Sequence, residues 1–260
     1  MDPKLCPRED AITELIEILD VYYVAHVRGT PASGKSTMAM LLRDRLQDAG
    51  RKVVFVRSWP SDLRGEDYTT VLVDAAKPRL LLDPDNLGNH NDTVFIIDEA
   101  QQTYAHTNFW LEFIKQRSGS GWGTKVCLFT SYGSPANGPV DYPANSAPVH
   151  LGVQQRVGIT PSLVDRGSQF GLFYTMDEFE DVVKRHNEYS TGPLPLSAEA
   201  KLYLFRMTNG HPGAVNGLIG FLQMVLYHLA SCLAFTYEVG VQNVDQGQSR
   251  TAHHQRYASQ

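Results

Sequence analysis

The chain has 260 residues, 42% hydrophobic and 20% charged, which is the balance of a soluble globular protein and not of a disordered or collagen-like one. Its length suits one α/β domain of ordinary size with a smaller appendage. A net charge of −5 and the lack of any Lys/Arg run argue against a nucleic-acid partner held by bulk electrostatics.

Cys6, Cys127 and Cys232 are far apart and show no metal-ligand spacing. An odd number without a pairing pattern fits a reducing compartment, and Cys127, inside an apolar run, reads as a buried thiol. The opening MDPKLCPREDAITEL is charged and lacks the apolar core of a signal peptide. An intracellular protein, cytoplasmic or nuclear, is expected.

Residues 10–20 read as a short amphipathic helix, and VYYVAHV at 21–27 as an apolar, β-branched strand ending in a glycine-rich turn. STMAMLLRDRLQDAG follows as a helix with Gly50 as its stop, and KVVFVRSW at 52–59 as the next strand. Strand, loop, helix, strand is a βαβ unit, so a parallel sheet covered by helices is expected. Between Pro60 and Asp92 a long excursion holds a helix around 67–77. TVFIID at 93–98 reads as a buried strand, NFWLEFIKQR at 108–117 as a helix and KVCLFTSY at 125–132 as a strand. Residues 133–148, rich in Gly, Pro and Asn, read as a mobile surface loop.

After about residue 174 the pattern becomes helical. Thr175 and Glu178 form a capping box before MDEFEDVVKRHNEY, and Ser197 opens SAEAKLYLFRMTN, which Gly210 and Pro212 stop. Met207 to Tyr237 holds no Asp, Glu, Lys or Arg and is long enough to span a bilayer. However, Val215, Leu218, Ile219, Leu222, Val225, Leu226, Leu229 and Leu233 share one helical face, opposite Asn216, Gln223, Tyr227 and Ser231. That is the pattern of a core-docked helix, so no membrane span is expected. Gly213 and Gly217 give a GxxxG spacing, which also serves close packing in soluble proteins. The division expected is a core at 1–174, a helical lid at 175–237 and a disordered tail at 238–260.

GTPASGKS at 29–36 satisfies G-x-x-x-x-G-K-[ST] between a strand and a helix, the context that this phosphate-binding pattern requires. Gly29, Thr30, Pro31, Ala32, Ser33, Gly34, Lys35, Ser36 and Thr37 are therefore the expected nucleotide-binding residues. Their backbone N–H groups turn inward around phosphate oxygens, and the following helix presents its positive end. Lys35 reaches the β- and γ-phosphates, and the Ser36 hydroxyl is a hard oxygen ligand for Mg²⁺. VFIIDEAQ at 94–101 supplies Asp98 for the magnesium shell and Glu99 to orient and deprotonate a water. The polar end of KVCLFTSY places Thr130 or Ser131 near the γ-phosphate. The ligand expected is ATP with Mg²⁺ on a three-layer α/β P-loop core with a central parallel sheet.

GTPASGKST, FIIDEAQ, LFTSYGSP and TNGHPGAV together resemble the ATPase module of the STAND/AAA+ class, and within it the P-loop domain of Crinkler-type proteins of fungi and oomycetes. The resemblance spans about 15–235. It implies an Asp-Glu pair at Asp98 and Glu99, a polar sensor at Ser131 or Thr130, and a Gly-x-Pro element at Gly210, His211 and Pro212 near the nucleotide base. It also implies that the P-loop strand is central and the acidic strand not directly beside it. Crinkler-type proteins usually carry an N-terminal targeting region and often a C-terminal nuclease or kinase-like domain. This chain reads as the isolated ATPase module, which speaks against a host-directed role. Arg117, Arg156 and Arg166 are candidate arginine fingers, supplied within the chain or by a second copy of it. A small-molecule or nucleotide kinase and a non-catalytic, nucleotide-gated module binding a protein partner stand as alternatives; Arg64 and Arg79 are few arginines for a kinase lid.

Overall fold

The computed structural model describes residues 2–60, 67–77, 84–119, 121–131, 149, 151–190 and 192–229. The surface loop read at 133–148, the tail at 238–260, and Arg64, Arg79 and Cys232 lie outside these residues.

The first helix, α1, covers Glu9–Tyr22, and β1 covers Val24–Arg28. The strand expected from residue 21 is thus corrected: Val21 and Tyr22 finish the helix. Tyr23 closes it in the left-handed region (φ 63°), with its N–H on the Leu19 carbonyl. Burial of Leu15, Ile18 and Leu19 on the sheet outweighs the β propensity of the VYY triplet.

After β1 come α2 (Lys35–Asp48), β2 (Lys52–Val56) and α3 (Tyr68–Ala76). Gly50, at φ 77°, ends α2 as expected, whereas β2 stops three residues earlier than its apolar run suggested. Next are β3 (Thr93–Ile97), a 3₁₀ turn at Ala100–Ala105, a π-helical turn at Phe109–Ile114 that runs into α4 (Lys115–Arg117), and β4 (Lys125–Thr130). The π turn replaces the α-helix expected at 108–117 and packs Phe109, Trp110, Phe113 and Ile114 inward together. A two-residue strand, β5 (Arg156–Val157), carried no sequence signal.

Among the described residues five strands are parallel, in the order β2-β3-β4-β1-β5. The P-loop strand β1 is interior, and β4 separates it from the acidic strand β3. Side chains alternate between two cores. Ala25, Val27, Val53, Ile96, Cys127 and Phe129 face α1 and α2. Val24, Val54, Val56, Phe95, Val126 and Leu128 face α3 and the π turn. The chain is a three-layer α/β structure.

Among the described residues three further helices follow: α5 (Met176–Tyr189), α6 (Ala198–Thr208) and α7 (212–229). The Thr175–Glu178 capping box is present, with N–H···O distances of 2.9 and 3.2 Å. These helices share a third core of Phe179, Val182, Val183, Leu204, Val215 and Ile219, joined by Cys6 and Tyr174. On α7 the expected face is half right. Val215 and Ile219 are buried and Leu218 and Leu222 pack beside them, but Leu226 and Leu229 of that face are exposed; Tyr227, expected on the opposite face, is exposed as well, as are Phe221 and Met224. No helix among the described residues is long and apolar enough to cross a membrane.

One buried cation joins the three helices to the α/β layers. Arg8, itself at φ 50°, donates to the Gly171 and Leu172 carbonyls at 2.8 and 2.9 Å and to both Glu178 oxygens at 2.9 and 3.2 Å. Asp20 ties α1 to the starts of two strands, accepting from Arg51 at 2.7 Å and Lys125 at 2.6 Å.

The Arg51 and Lys125 hydrogen bonds hold the Asp20 carboxyl down to about 2, below its ordinary value of about 3.9. The folded acid keeps its charge longer than the unfolded one, so its stabilisation is complete above about pH 4 and fades as pH falls toward 2. Asp20→Asn is expected to flatten the acid limb of stability, measured as urea midpoints from pH 7 to pH 2.5.

Candidate functional site

The P-loop leaves the carboxyl edge of the sheet at Gly29, whose N–H donates to the Thr130 carbonyl at 3.1 Å. Ala32 (φ 59°) and Gly34 (φ 89°) take left-handed conformations that turn the chain into α2. For Gly34 the residue type is dictated: an added Cβ would meet Pro212 at 3.3 Å on an already left-handed backbone. Ser33 is wholly buried, while Thr30, Pro31, Ala32 and Ser36 are exposed and Thr37 is half-buried. The loop therefore presents its backbone at the N-terminus of a 14-residue helix, an anion-binding arrangement.

Lys35 is buried beneath the loop, its Nζ donating to the carbonyls of Gly29 at 3.2 Å and Thr30 at 2.7 Å. Burial lowers its pKa, opposed by the Glu99 and Asp98 carboxylates. Asp98 follows β3 and is buried, which raises its pKa, countered by hydrogen bonds from the Ser36 hydroxyl and the Glu99 N–H, the latter at 3.0 Å. One carboxylate thus faces both the lysine and the hydroxyl of the P-loop.

Glu99 stands next to it in a left-handed conformation, φ 51° and ψ 35°, rare for a side chain of its size. Its carboxylate accepts from the Gln101 amide and lies 3.5 Å from the Ser131 hydroxyl. Gln101 in turn accepts the Ser131 N–H at 3.0 Å. Of the two polar residues ending β4, Ser131 lines the cavity. Thr130 is buried and bonded through its hydroxyl to His26 at 2.9 Å. Gln101 was not singled out from sequence; its place two residues after an acidic pair at a strand end was the available signal.

A cavity of about 400 Å³ opens here, with Lys35, Ser36, Glu99 and Ser131 on one side. Leu5, Tyr174, Pro212 and Asn216 line the other. Pro212 reaches it because the carbonyl of Gly210, at φ 70°, accepts from the Tyr174 N–H at 2.8 Å, and the Gly213 N–H donates to the Ala32 carbonyl at 3.0 Å. Of the residues expected at the site, Pro31, Ala32, Gly34, Lys35, Ser36, Thr37, Glu99, Ser131 and Pro212 line this one cavity, and Asp98 lies beside Lys35 and Ser36. None of the three candidate arginines lines this cavity. Arg117 is buried against Gly88 and lies over the Phe113 ring at 5.2 Å, toward the amino edge of the sheet. Arg156 belongs to β5, and Arg166 is exposed.

The donor set fits magnesium. Among the described residues no three His, Cys, Asp or Glu side chains converge on a metal site. Mg²⁺ is commonly held by one or two protein oxygens, with waters and phosphates completing its shell. The Ser36 hydroxyl and the Asp98 carboxylate are such a pair.

No protein-family model matches the chain. No curated protein matches it either. Among solved structures, a Walker-type ATPase of Pyrococcus abyssi is similar over 91% of this chain and 75% of its own, with 15% identity and a TM-score of 0.47. A likeness of that size transfers neither an activity nor the role of any residue.

Gly213 and Gly217 respond oppositely to a side chain. A Cβ on Gly213 would sit 2.7 Å from the Ala32 Cβ and 2.9 Å from its carbonyl, whereas Gly217 has nothing within 4 Å. Gly213→Val is expected to destabilise by about 1–3 kcal/mol through overpacking against the P-loop. Gly217→Ala is expected to stabilise by up to about 1 kcal/mol through helix propensity. Urea denaturation of the two variants checks both signs.

Proposed function

We propose that this chain is a Mg²⁺-dependent ATP hydrolase of the P-loop type, working as a STAND/AAA+-like switch. The observation that carries it is the meeting of Ser36 with Asp98 beside Lys35, with Glu99 and Ser131 facing the same cavity. In this reading the backbone of 29–34 and Lys35 hold the phosphates, and Ser36 and Asp98 hold the metal. Bound magnesium would neutralise charge developing on the β- and γ-phosphate oxygens. Glu99 orients a water and accepts its proton as the water oxygen bonds to the γ-phosphorus. The bond to the bridging oxygen breaks, and ADP and inorganic phosphate leave. Ser131 assists through its hydroxyl.

The finer assignment draws on the sheet order, in which β4 lies between the P-loop strand and the acidic strand. It draws also on Pro212, seated against Gly34. The sheet order is the one that the Crinkler-type resemblance implies, and the seat of Pro212 at the cavity supports a place near the nucleotide. We take residues 1–174 as the core and 175–237 as a helical lid whose Pro212 and Asn216, with Tyr174 of the core, face the base.

Lys35→Ala is expected to abolish ATP binding. Glu99→Gln is expected to bind ATP within a few-fold of the wild type and to lose roughly 10²–10⁴ in turnover, the usual worth of a general base. Equilibrium binding and phosphate release, followed across protein concentration, decide the matter. Equal turnover in the wild type and Glu99→Gln removes Glu99 from the mechanism. Turnover only with an added phosphate acceptor favours a kinase, and tight binding without hydrolysis favours a nucleotide-gated interaction module.

A further inference from the structure

Glu99 is held by a residue that the hydrolase reading does not use. Among the described residues, the side chains that hydrogen-bond its carboxylate are Gln101 and Ser131, and the Ser131 hydroxyl is at the 3.5 Å limit of such a bond. The Gln101 carboxamide is therefore the main restraint on a flexible side chain whose direction matters to hydrolysis.

Chemistry fixes which way that amide points. The Ser131 backbone N–H can only donate, so it must meet the Gln101 Oε1, as it does at 3.0 Å. The Nε2 then faces Glu99, whose ionised carboxylate can only accept. Turning the amide over would set two donors together and two acceptors together. Its partners specify a single orientation.

The backbone under Gln101 is equally constrained. Gln101 lies in the 3₁₀ turn between Ala100 and Thr103, both fully buried. The Thr103 hydroxyl donates to the Ala100 carbonyl at 2.7 Å, and the Trp110 Nε1–H donates to Thr103 at 3.1 Å from inside the core. The left-handed backbone of Glu99 starts its side chain from a strained position, and a side chain so placed needs an external restraint to keep one direction. Gln101 joins that carboxylate to the end of β4, so the acid after β3 and the polar residue after β4 keep a common position.

We propose that Gln101 is a positioning residue for ATP hydrolysis: its carboxamide bridges the Glu99 carboxylate and the Ser131 backbone, and so aims Glu99 at the attacking water. The proposal rests on the hydrolase reading above. Gln101 touches neither nucleotide nor water in it and acts through Glu99 alone.

The test measures ATP turnover and Mg²⁺-ATP affinity for the wild type, Gln101→Ala and Gln101→Glu, with urea midpoints as a check on folding. Gln101→Ala is expected to lower kcat by about 10- to 100-fold, the effect of a misaimed catalytic group, with KM and affinity within about threefold. Gln101→Glu replaces the donor with a like charge and is expected to lose at least as much. On a Glu99→Gln background, Gln101→Ala is expected to cause no further loss, because both changes remove one function. An unchanged kcat in Gln101→Ala, or a full additional loss on the Glu99→Gln background, would overturn the role of Gln101 alone. A loss of affinity matching the loss of kcat would likewise mark the residue as merely structural. Lack of turnover in the wild type itself would overturn the hydrolase reading and, with it, this role.

Discussion

Gly29 continues the β1–β4 ladder one residue beyond the last register pair, Arg28 with Thr130, by donating to the Thr130 carbonyl. The Asp98 N–H does the same across β2 and β3, donating to the Val56 carbonyl at 2.8 Å. With Val56 opposite Ile97 and Ile97 opposite Leu128, four strands finish nearly level. That shared edge is the constraint on which the site depends. A slip of one residue in β3 would carry Asp98 away from Ser36 and turn each buried side chain to the wrong face. The two apolar cores, each specific for alternate residues, make such a slip costly and so hold the polar groups in line.

Backbone strain gathers at the same edge. Among the described residues, Ala32 and Glu99 are two of six non-glycine positions with positive φ, and both border the cavity. Each left-handed residue costs on the order of 1–2 kcal/mol, which its surroundings must offset. For Ala32 the offset comes from the Gly213 N–H, and for Glu99 from the bond between its own N–H and Asp98. The third helix of the C-terminal group therefore supports the phosphate loop directly. Its first turn is part of the site's architecture as well as one wall of the cavity.

Much of this was legible in the amino-acid pattern because local chemistry dictated it. The P-loop needs Gly34 for its left-handed turn. The strand TVFII is buried on both faces and reads as an unbroken apolar run. The Thr175–Glu178 box names its own helix start. What escaped notice depends on tertiary contact. Tyr22 ends a helix and not a strand because α1 is fixed to the sheet by residues three and four positions earlier. The π turn at 109–114 is set by aromatic packing that has no distinct periodicity in so short a segment. Helical spacing on α7 identified an apolar face. It did not show that the third core covers only the first half of that face, leaving Leu226 and Leu229 exposed. The link between Glu99, Gln101 and Ser131 joins residues 30 apart in sequence, and only the pairing of β3 with β4 brings them together.

Arg8 acts far from its own place in the sequence. It lies before the first helix, where a trimmed version of the protein would naturally be made to begin, yet its guanidinium fastens carbonyls more than 160 positions away. Leu5, three residues earlier, forms part of the cavity wall. The opening segment thus works as a clasp, drawn back across the molecule to close the seam between the sheet layers and the helical group. A trimmed chain starting at α1 would keep the described strands and the whole phosphate loop, but it would lose both that clasp and the part of the cavity wall that Leu5 forms.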